Sequence, residues 1–272
     1  MSYTLRDLID LDRYPIDDLE GRGNSLVQDC VARLRDTAIC HLPGFVRPEA
    51  VERIQTEATR RLDTTYWMKT DRRAYSWRDP DEYPKGHAVG MTNPNFIGTI
   101  TTDAFPPDSA FVSLFQLPEL TDFLRATLEE PRLHPVACPH LAANVKVMTE
   151  GSKHAWHFDQ NESAVTFMIQ NAQDGGHYEY VPYLRSEEDE NYEGVARLLD
   201  GQDEGIIRED LFPGSFCLFK GRRSIHRVTE VTKGDPDRLL AVFSYHTVPN
   251  HRYRDSTVRS VLGRIPDNYV RA

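Results

Sequence analysis

Among ten histidines, one arrangement has the residue types and spacing of a metal site. His157-Phe158-Asp159 sets an imidazole and a carboxylate two positions apart in a run with strand character. His226 follows on a later strand, behind the turn-rich Gly-Arg-Arg-Ser. Period-two geometry turns His157 and Asp159 to the same face of their strand. Two imidazoles and one carboxylate can hold one face of an octahedral iron(II), leaving three positions for cosubstrate and dioxygen. Arg238 opens the next strand, twelve residues after His226. Its planar guanidinium suits a two-pronged, charge-assisted grip on the distal carboxylate of 2-oxoglutarate. Ser244, six residues further on, has the parity to face inward with Arg238 and donate a hydrogen bond to a ligand. An H-x-D motif alone carries little, and His177-Tyr178-Glu179 forms a rival pair on another strand. What singles out His157, Asp159 and His226 is the strand context, the distal histidine and the arginine that begins the following strand. A cupin-like protein that binds a metal or ligand without oxygen chemistry is the alternative from another class. Arg238 argues against it, because a plain metal barrel has no use for a carboxylate clamp.

The elements that must hold these residues are short strands preceded by helices. Ser25 with Gln28 reads as a capping box ahead of the apolar positions Leu26, Val27, Cys30, Val31 and Leu34. Pro48 marks a helix start before Ala50, Val51, Ile54, Ala58 and Leu62. Between them Ala38 to Leu42 is a short strand ending at Pro-Gly, and a further helix is expected from Pro118 to Glu129. From residue 142 the pattern turns to strands: Val145 and Val147, Trp156 to Asp159, Ala164 to Gln170, His177 to Val181, Gly214 to Lys220, Ile225 to Val231 and Leu239 to Thr247. Turn signals such as Asp174-Gly175-Gly176 separate them. Residues 186–210 hold ten acids and two arginines around a helix at Tyr192 to Leu199, the pattern of a solvated insertion.

Helices first and antiparallel strands after predict a mainly β fold with flanking helices (α+β), a jelly-roll, cupin-like barrel. The expected layout is one domain over residues 1–272. A largely helical part occupies 1–135 with a lid at 64–95, the β core spans 140–248, and a tail follows at 249–272. His140 and Asn144, on the strand before the H-x-D, are candidates to line the pocket. Trp156 has the opposite parity to His157 and belongs in the core.

The formal charge of -10 argues against nucleic acid as a partner, since a phosphate-backbone binder shows a basic face. No stretch approaches the length of a membrane span, and the first residues lack an apolar signal core. Cys30, Cys40, Cys138 and Cys217 are scattered without a C-x-x-C pair, as expected of reduced, buried thiols in a cytoplasmic protein.

The run Trp-His-Phe-Asp-Gln-Asn-Glu-Ser-Ala-Val-Thr-Phe-Met-Ile-Gln, followed by Gly-Gly-His-Tyr-Glu-Tyr-Val-Pro, resembles the iron and 2-oxoglutarate oxygenases allied to the radical amino-acid halogenases. Pro-Gly-Ser-Phe-Cys-Leu-Phe-Lys-Gly-Arg-Arg-Ser-Ile-His-Arg-Val-Thr and Arg-Leu-Leu-Ala-Val-Phe-Ser-Tyr continue the match, which covers roughly residues 140–248. The resemblance implies a double-stranded β-helix, bound iron(II) and 2-oxoglutarate, and attack with dioxygen on an unactivated C–H bond of a small molecule such as an amino acid. It makes Gly175 and Gly176 a strand-joining turn and leaves His177 and Glu179 on an ordinary barrel strand. It also gives His154 the role of holding a substrate carboxylate, shared with a lid arginine that Arg73 resembles, with Arg72 and Arg78 as the alternatives in the same segment. The related halogenases carry a small residue where Asp159 stands, because chloride takes that coordination position. A carboxylate there implies hydroxylation, with desaturation or ring closure as alternatives from the same cofactors.

Overall fold

The computed structural model describes residues 3–202 and 205–269. Two antiparallel sheets carry the site. In chain order their strands are β1 (Ile39–Leu42), β2 (Tyr66–Arg73), β3 (Thr92–Ile100), β4 (Ala143–Met148), β5 (His154–His157), β6 (Ala164–Gln170), β7 (Tyr178–Val181), β8 (Ile207–Glu209), β9 (Phe216–Phe219), β10 (Ile225–Val228) and β11 (Arg238–Phe243). The larger sheet runs β1-β9-β6-β11-β4-β3-β2 and the smaller β8-β7-β10-β5.

Strict alternation along the central strands assigns their two faces. Val145 and Val147 of β4, Val165, Phe167 and Ile169 of β6, and Leu239, Ala241 and Phe243 of β11 all enter the main apolar core. They pack there against Leu34, Ile54, Phe111, Leu114, Leu120 and Phe123 of the covering helices. The intervening residues, among them Asn144, Lys146 and Arg238, therefore face the smaller sheet. Two small apolar clusters join the sheets: Ile39, Cys217 and Phe219 with Tyr180, and Ile97 and Met148 with Val228 and Val231. The outer face of the smaller sheet carries Trp156, Phe158 and Ile225. It is covered by Val195 and Leu198 of the helix Tyr192–Leu199 and by Ala74, Tyr75, Ala88 and Val89. Trp156 is thus core, as its parity requires. In the acidic insertion, Asp203 and Glu204 lie outside the described residues.

Three expectations need correction. Residues 64–95 are not a lid throughout: β2 and most of β3 form a long hairpin on the edge of the larger sheet, paired from Tyr66↔Thr99 to Arg73↔Thr92. Only residues 74–91 cover the smaller sheet. The hairpin escapes notice because β2 is largely solvent-facing and lacks apolar alternation, and its pairing is what makes it a strand. The part before residue 135, read as largely helical, therefore also supplies β1, β2 and β3. Ser25 and Gln28 form no capping box. The helix Asn24–Thr37 starts two residues earlier than a Ser25 cap would set it, with Gly23 as N-cap, and Gln28 donates instead to Asn24 Oδ1 at 2.8 Å. Pro48 does open its helix. The C-terminal tail contains a helix, Asp255–Leu262. All four cysteines are free and buried, and no described helix is long and apolar enough to cross a membrane.

Candidate metal centre

His157 ends β5 and pairs directly across the sheet with His226 of β10, where the register of β10 slips before Val228. The two rings lie 4.1 Å apart. His157 Nδ1 is 2.8 Å from the Ala155 carbonyl and His226 Nδ1 is 3.1 Å from the Ser224 carbonyl. A carbonyl can only accept, so each Nδ1 carries the proton and each Nε2 turns a lone pair inward. Asp159 stands two residues past His157, its N–H held by the Gly221 carbonyl at 3.0 Å. Its Oδ1 lies 3.7 Å from His157 Nε2 and its Oδ2 3.7 Å from His226 Nε2. Oδ2 is buried without a hydrogen-bond partner.

Burial pushes the His157 imidazole well below its usual pKa, with Arg72 and His226 adding to the effect. Burial also lowers His226, against the opposing pull of Asp159. Burial thus favours the neutral form of both rings, and their Nε2 lone pairs converge with a carboxylate whose Oδ2 has no hydrogen-bond partner. Only a cation satisfies such a cluster. The ligand atoms all lie within 4.8 Å of one another, and this is the one such group of His, Cys, Asp and Glu among the described residues. Two nitrogens and a carboxylate on one side suit iron(II). The rival pair is elsewhere, since Glu179 faces outward between Arg208 (2.9 Å) and Arg227 (2.8 Å).

Arg238 opens β11 opposite Met148 and is 2 % exposed. Its Nη1 meets only the Met148 sulfur at 3.9 Å, and Nη2 has no partner. Burial pushes its pKa down to about 10, with the Tyr178 phenol opposing. A buried guanidinium without a carboxylate partner is matched to an incoming anion. Gly176 makes room for it, because a Cβ there would lie 2.8 Å from Arg238 Cδ. Tyr178, not singled out in the sequence, is an electrostatic neighbour of both Arg238 and Asp159. It marks the space between the guanidinium and the triad.

The remaining sequence candidates divide. His154 does belong to the site, with its ring 4.2 Å from His157. Its partner is Arg72, which donates to His154 Nε2 at 2.7 Å. Arg73 has the opposite parity and reaches the Arg78 carbonyl instead, so the inward arginine is Arg72. Asn144 lies on the inner face, 4 % exposed, with Oδ1 unpartnered. His140 precedes β4 and is occupied elsewhere: Nε2 meets Asn268 Oδ1 at 2.9 Å and the ring faces Tyr269. Ser244 is not beside Arg238. It lies beyond the other end of β11, where its hydroxyl donates to the Leu141 carbonyl at 2.9 Å. It also meets the Tyr253 phenol, which reaches Asn161 just past Asp159. Lys146 went unnoticed because a lysine between two core valines reads as a solvent-facing residue, and only the smaller sheet opposite makes that face the pocket. It faces inward, donates to Thr99 Oγ1 at 3.0 Å, and is pushed down to about 7 by burial and then by Arg72.

The family model for halogenase D matches residues 23–259. No functionally curated protein is significantly similar to the chain. Solved structures share its fold at low identity. One is an oxidoreductase of the 2OG-Fe(II) oxygenase family from Burkholderia pseudomallei, at TM-score 0.52 and 17% identity over 84% of this chain and 94% of that one. Another is SnoN, an α-ketoglutarate-dependent epimerase from nogalamycin biosynthesis, at TM-score 0.56 and 15% identity over 91% and 92%. A third is HygX from Streptomyces hygroscopicus with nickel, 2-oxoglutarate and hygromycin B bound, at TM-score 0.56 and 16% identity over 84% and 90%.

Proposed function

The chain belongs to the halogenase D family, and within it we propose an iron(II)- and 2-oxoglutarate-dependent dioxygenase that hydroxylates a free amino acid or similar small polar metabolite. The observation that carries this reading is the convergence of His157 Nε2, His226 Nε2 and both Asp159 oxygens, with Asp159 Oδ2 buried and unpartnered. Those residues would hold iron(II), and Arg238 would hold the distal carboxylate of 2-oxoglutarate. When bound, the metal and cosubstrate supply the oxidation with dioxygen.

The chain's own residues bind, orient and exclude water. The Ala155 and Ser224 carbonyls keep both imidazoles in the ligating tautomer. Arg72 and His154 form a donor pair beside the triad, suited to a substrate carboxylate. Residues 74–91 and the helix Tyr192–Leu199 close the outer side of β5 and β10. Tyr75 ties them together by donating to the Glu190 carbonyl at 2.5 Å.

Hydroxylation is favoured over halogen transfer because Asp159 fills the position a halide ligand would need. Related folds also support epimerisation, as in SnoN, or carbocyclisation, as in SnoK; those outcomes would show as products without added oxygen. The test is anaerobic reconstitution with iron(II) and 2-oxoglutarate, read by a visible charge-transfer band. Turnover of an amino-acid panel in air, with chloride and bromide present, follows by mass spectrometry. One added oxygen atom is the expected product. A halogenated product would overturn the role given to Asp159, and tetrahedral zinc with no such band would overturn the iron assignment.

A further inference from the structure

The proposed cosubstrate accounts for one of three inward-facing cations. Arg238 opens β11, while Lys146 lies on the neighbouring strand β4. The Lys146 amine leans away from β11: it donates to Thr99 on β3, which flanks β4 on the other side. Arg72 stands on β2, the next strand outward, directly opposite Asn93 of β3, and is the charge that lowers Lys146 further. The cations thus fall into two groups, Arg238 at one side of the pocket and Arg72 with Lys146 at the other.

The charges around this second group do not balance. His154 feels Arg72, Lys146, His226 and Arg238, all positive or neutral. The anion that acts on Arg72 is Asp159, which the proposed reading commits to the metal. A single substrate carboxylate against Arg72 and His154 leaves the Lys146 amine without a counter-charge, so that burial and Arg72 hold it down to about 7; an anionic group beside it would restore and pair the ammonium.

We propose that Lys146, with Thr99 beside it, forms a subsite for a second anionic group. The substrate is then a small molecule with two anionic groups, one against Arg72 and His154 and a second, carboxylate or phosphate, against Lys146. Zwitterions with neutral side chains and basic amino acids are excluded from good binding. This inference rests on the reading that the triad and Arg238 are taken by iron and 2-oxoglutarate.

The experiment uses the full chain, loaded anaerobically with iron(II) and 2-oxoglutarate and titrated with isosteric pairs by calorimetry. The pairs are aspartate against asparagine, glutamate against glutamine, and O-phosphoserine against serine, with lysine as the cationic control. At least one anionic member should bind about tenfold more tightly than its neutral isostere, the size expected for a charge-assisted hydrogen bond. The carboxylate and phosphate pairs tell the two anions apart. Lys146→Met should erase the preference and Lys146→Arg retain it, with 2-oxoglutarate affinity unchanged in both. Equal binding of the neutral isosteres, binding of lysine instead, or no binding of any anionic member would overturn the inference. So would a Lys146→Met variant that loses 2-oxoglutarate affinity, since Lys146 would then belong to the cosubstrate clamp. Absence of the charge-transfer band would overturn the metal and cosubstrate reading and this inference with it. A normal band without any preference would overturn this inference alone.

Discussion

Gly221 stands against Asp159 with no room for a side chain: a Cβ at Gly221 would lie 2.0 Å from Asp159 Oδ2. The same glycine accepts the Asp159 N–H through its carbonyl. The turn before β10 therefore sets both the backbone and the carboxylate of a proposed ligand. Gly221→Ala should turn the carboxylate away from His226 and weaken iron(II) binding by about 10–100-fold, the usual cost of losing a metal ligand's support. Metal titration measures this, with circular dichroism to show that the sheets survive. An unchanged affinity would mean that Asp159 contributes nothing to the metal.

Replacing either imidazole is expected to be more severe. His157→Ala or His226→Ala should abolish iron(II) binding and the band formed with 2-oxoglutarate, because two remaining ligands cannot hold a labile divalent ion. Asp159→Gly should strongly reduce hydroxylation. Chlorination need not follow, since a halide also requires supporting donors around it. Retained binding and turnover in Asp159→Gly would reduce Asp159 to a bystander.

Arg238 should control cosubstrate affinity and leave the metal alone. Lysine keeps the charge but loses one prong of the planar donor, costing about 1.5–3 kcal/mol. The 2-oxoglutarate requirement of Arg238→Lys should therefore rise by about 10–150-fold, and that of Arg238→Ala further. Cosubstrate binding that is unaffected in both variants would assign the clamp elsewhere.

Adjacent arginines provide an internal control. Arg72→Ala removes the donor to His154 and should raise the substrate KM by about tenfold or more. Arg73→Ala loses only a contact to the Arg78 carbonyl and should stay within about twofold, as for a partly exposed residue. Equal effects would contradict the assignment of Arg72 alone as the inward arginine.

Glu179 supports the fold from the outer face of the smaller sheet. Burial alone would raise its carboxyl, but hydrogen bonds from Arg208 and Arg227 outweigh burial and hold the pKa below the ordinary glutamate value. A pKa depressed in the folded state gives stability that is present above the unfolded value, about 4.3, and is lost as pH falls through the folded value. Glu179→Gln should cost about 1–3 kcal/mol at neutral pH, and that difference from wild type should shrink on acidification. Urea midpoints at pH 7 and in acid test this; a difference that grows in acid would contradict the sign.

Much of the fold and of the candidate site is determined by local sequence. Two-residue alternation in β4, β6 and β11 is a property of each strand alone, and so is the shared face of His157 and Asp159. A buried arginine opening β11 is likewise visible as one charge at the head of an apolar run. Tertiary structure decided what depends on pairing between distant strands. Whether Arg72 or Arg73 turns inward is a one-residue choice, set by the register of β2 on β3, and a polar edge strand carries no apolar pattern to announce it. Lys146 becomes an inward cation only because β4 lies between β11 and β3, so that one of its faces is core and the other is pocket. Ser244 kept its parity but moved to other partners, because parity assigns a face and says nothing of position along it. Tyr253, in a segment that follows the barrel, meets both Ser244 and Asn161, over a sequence distance no local period spans.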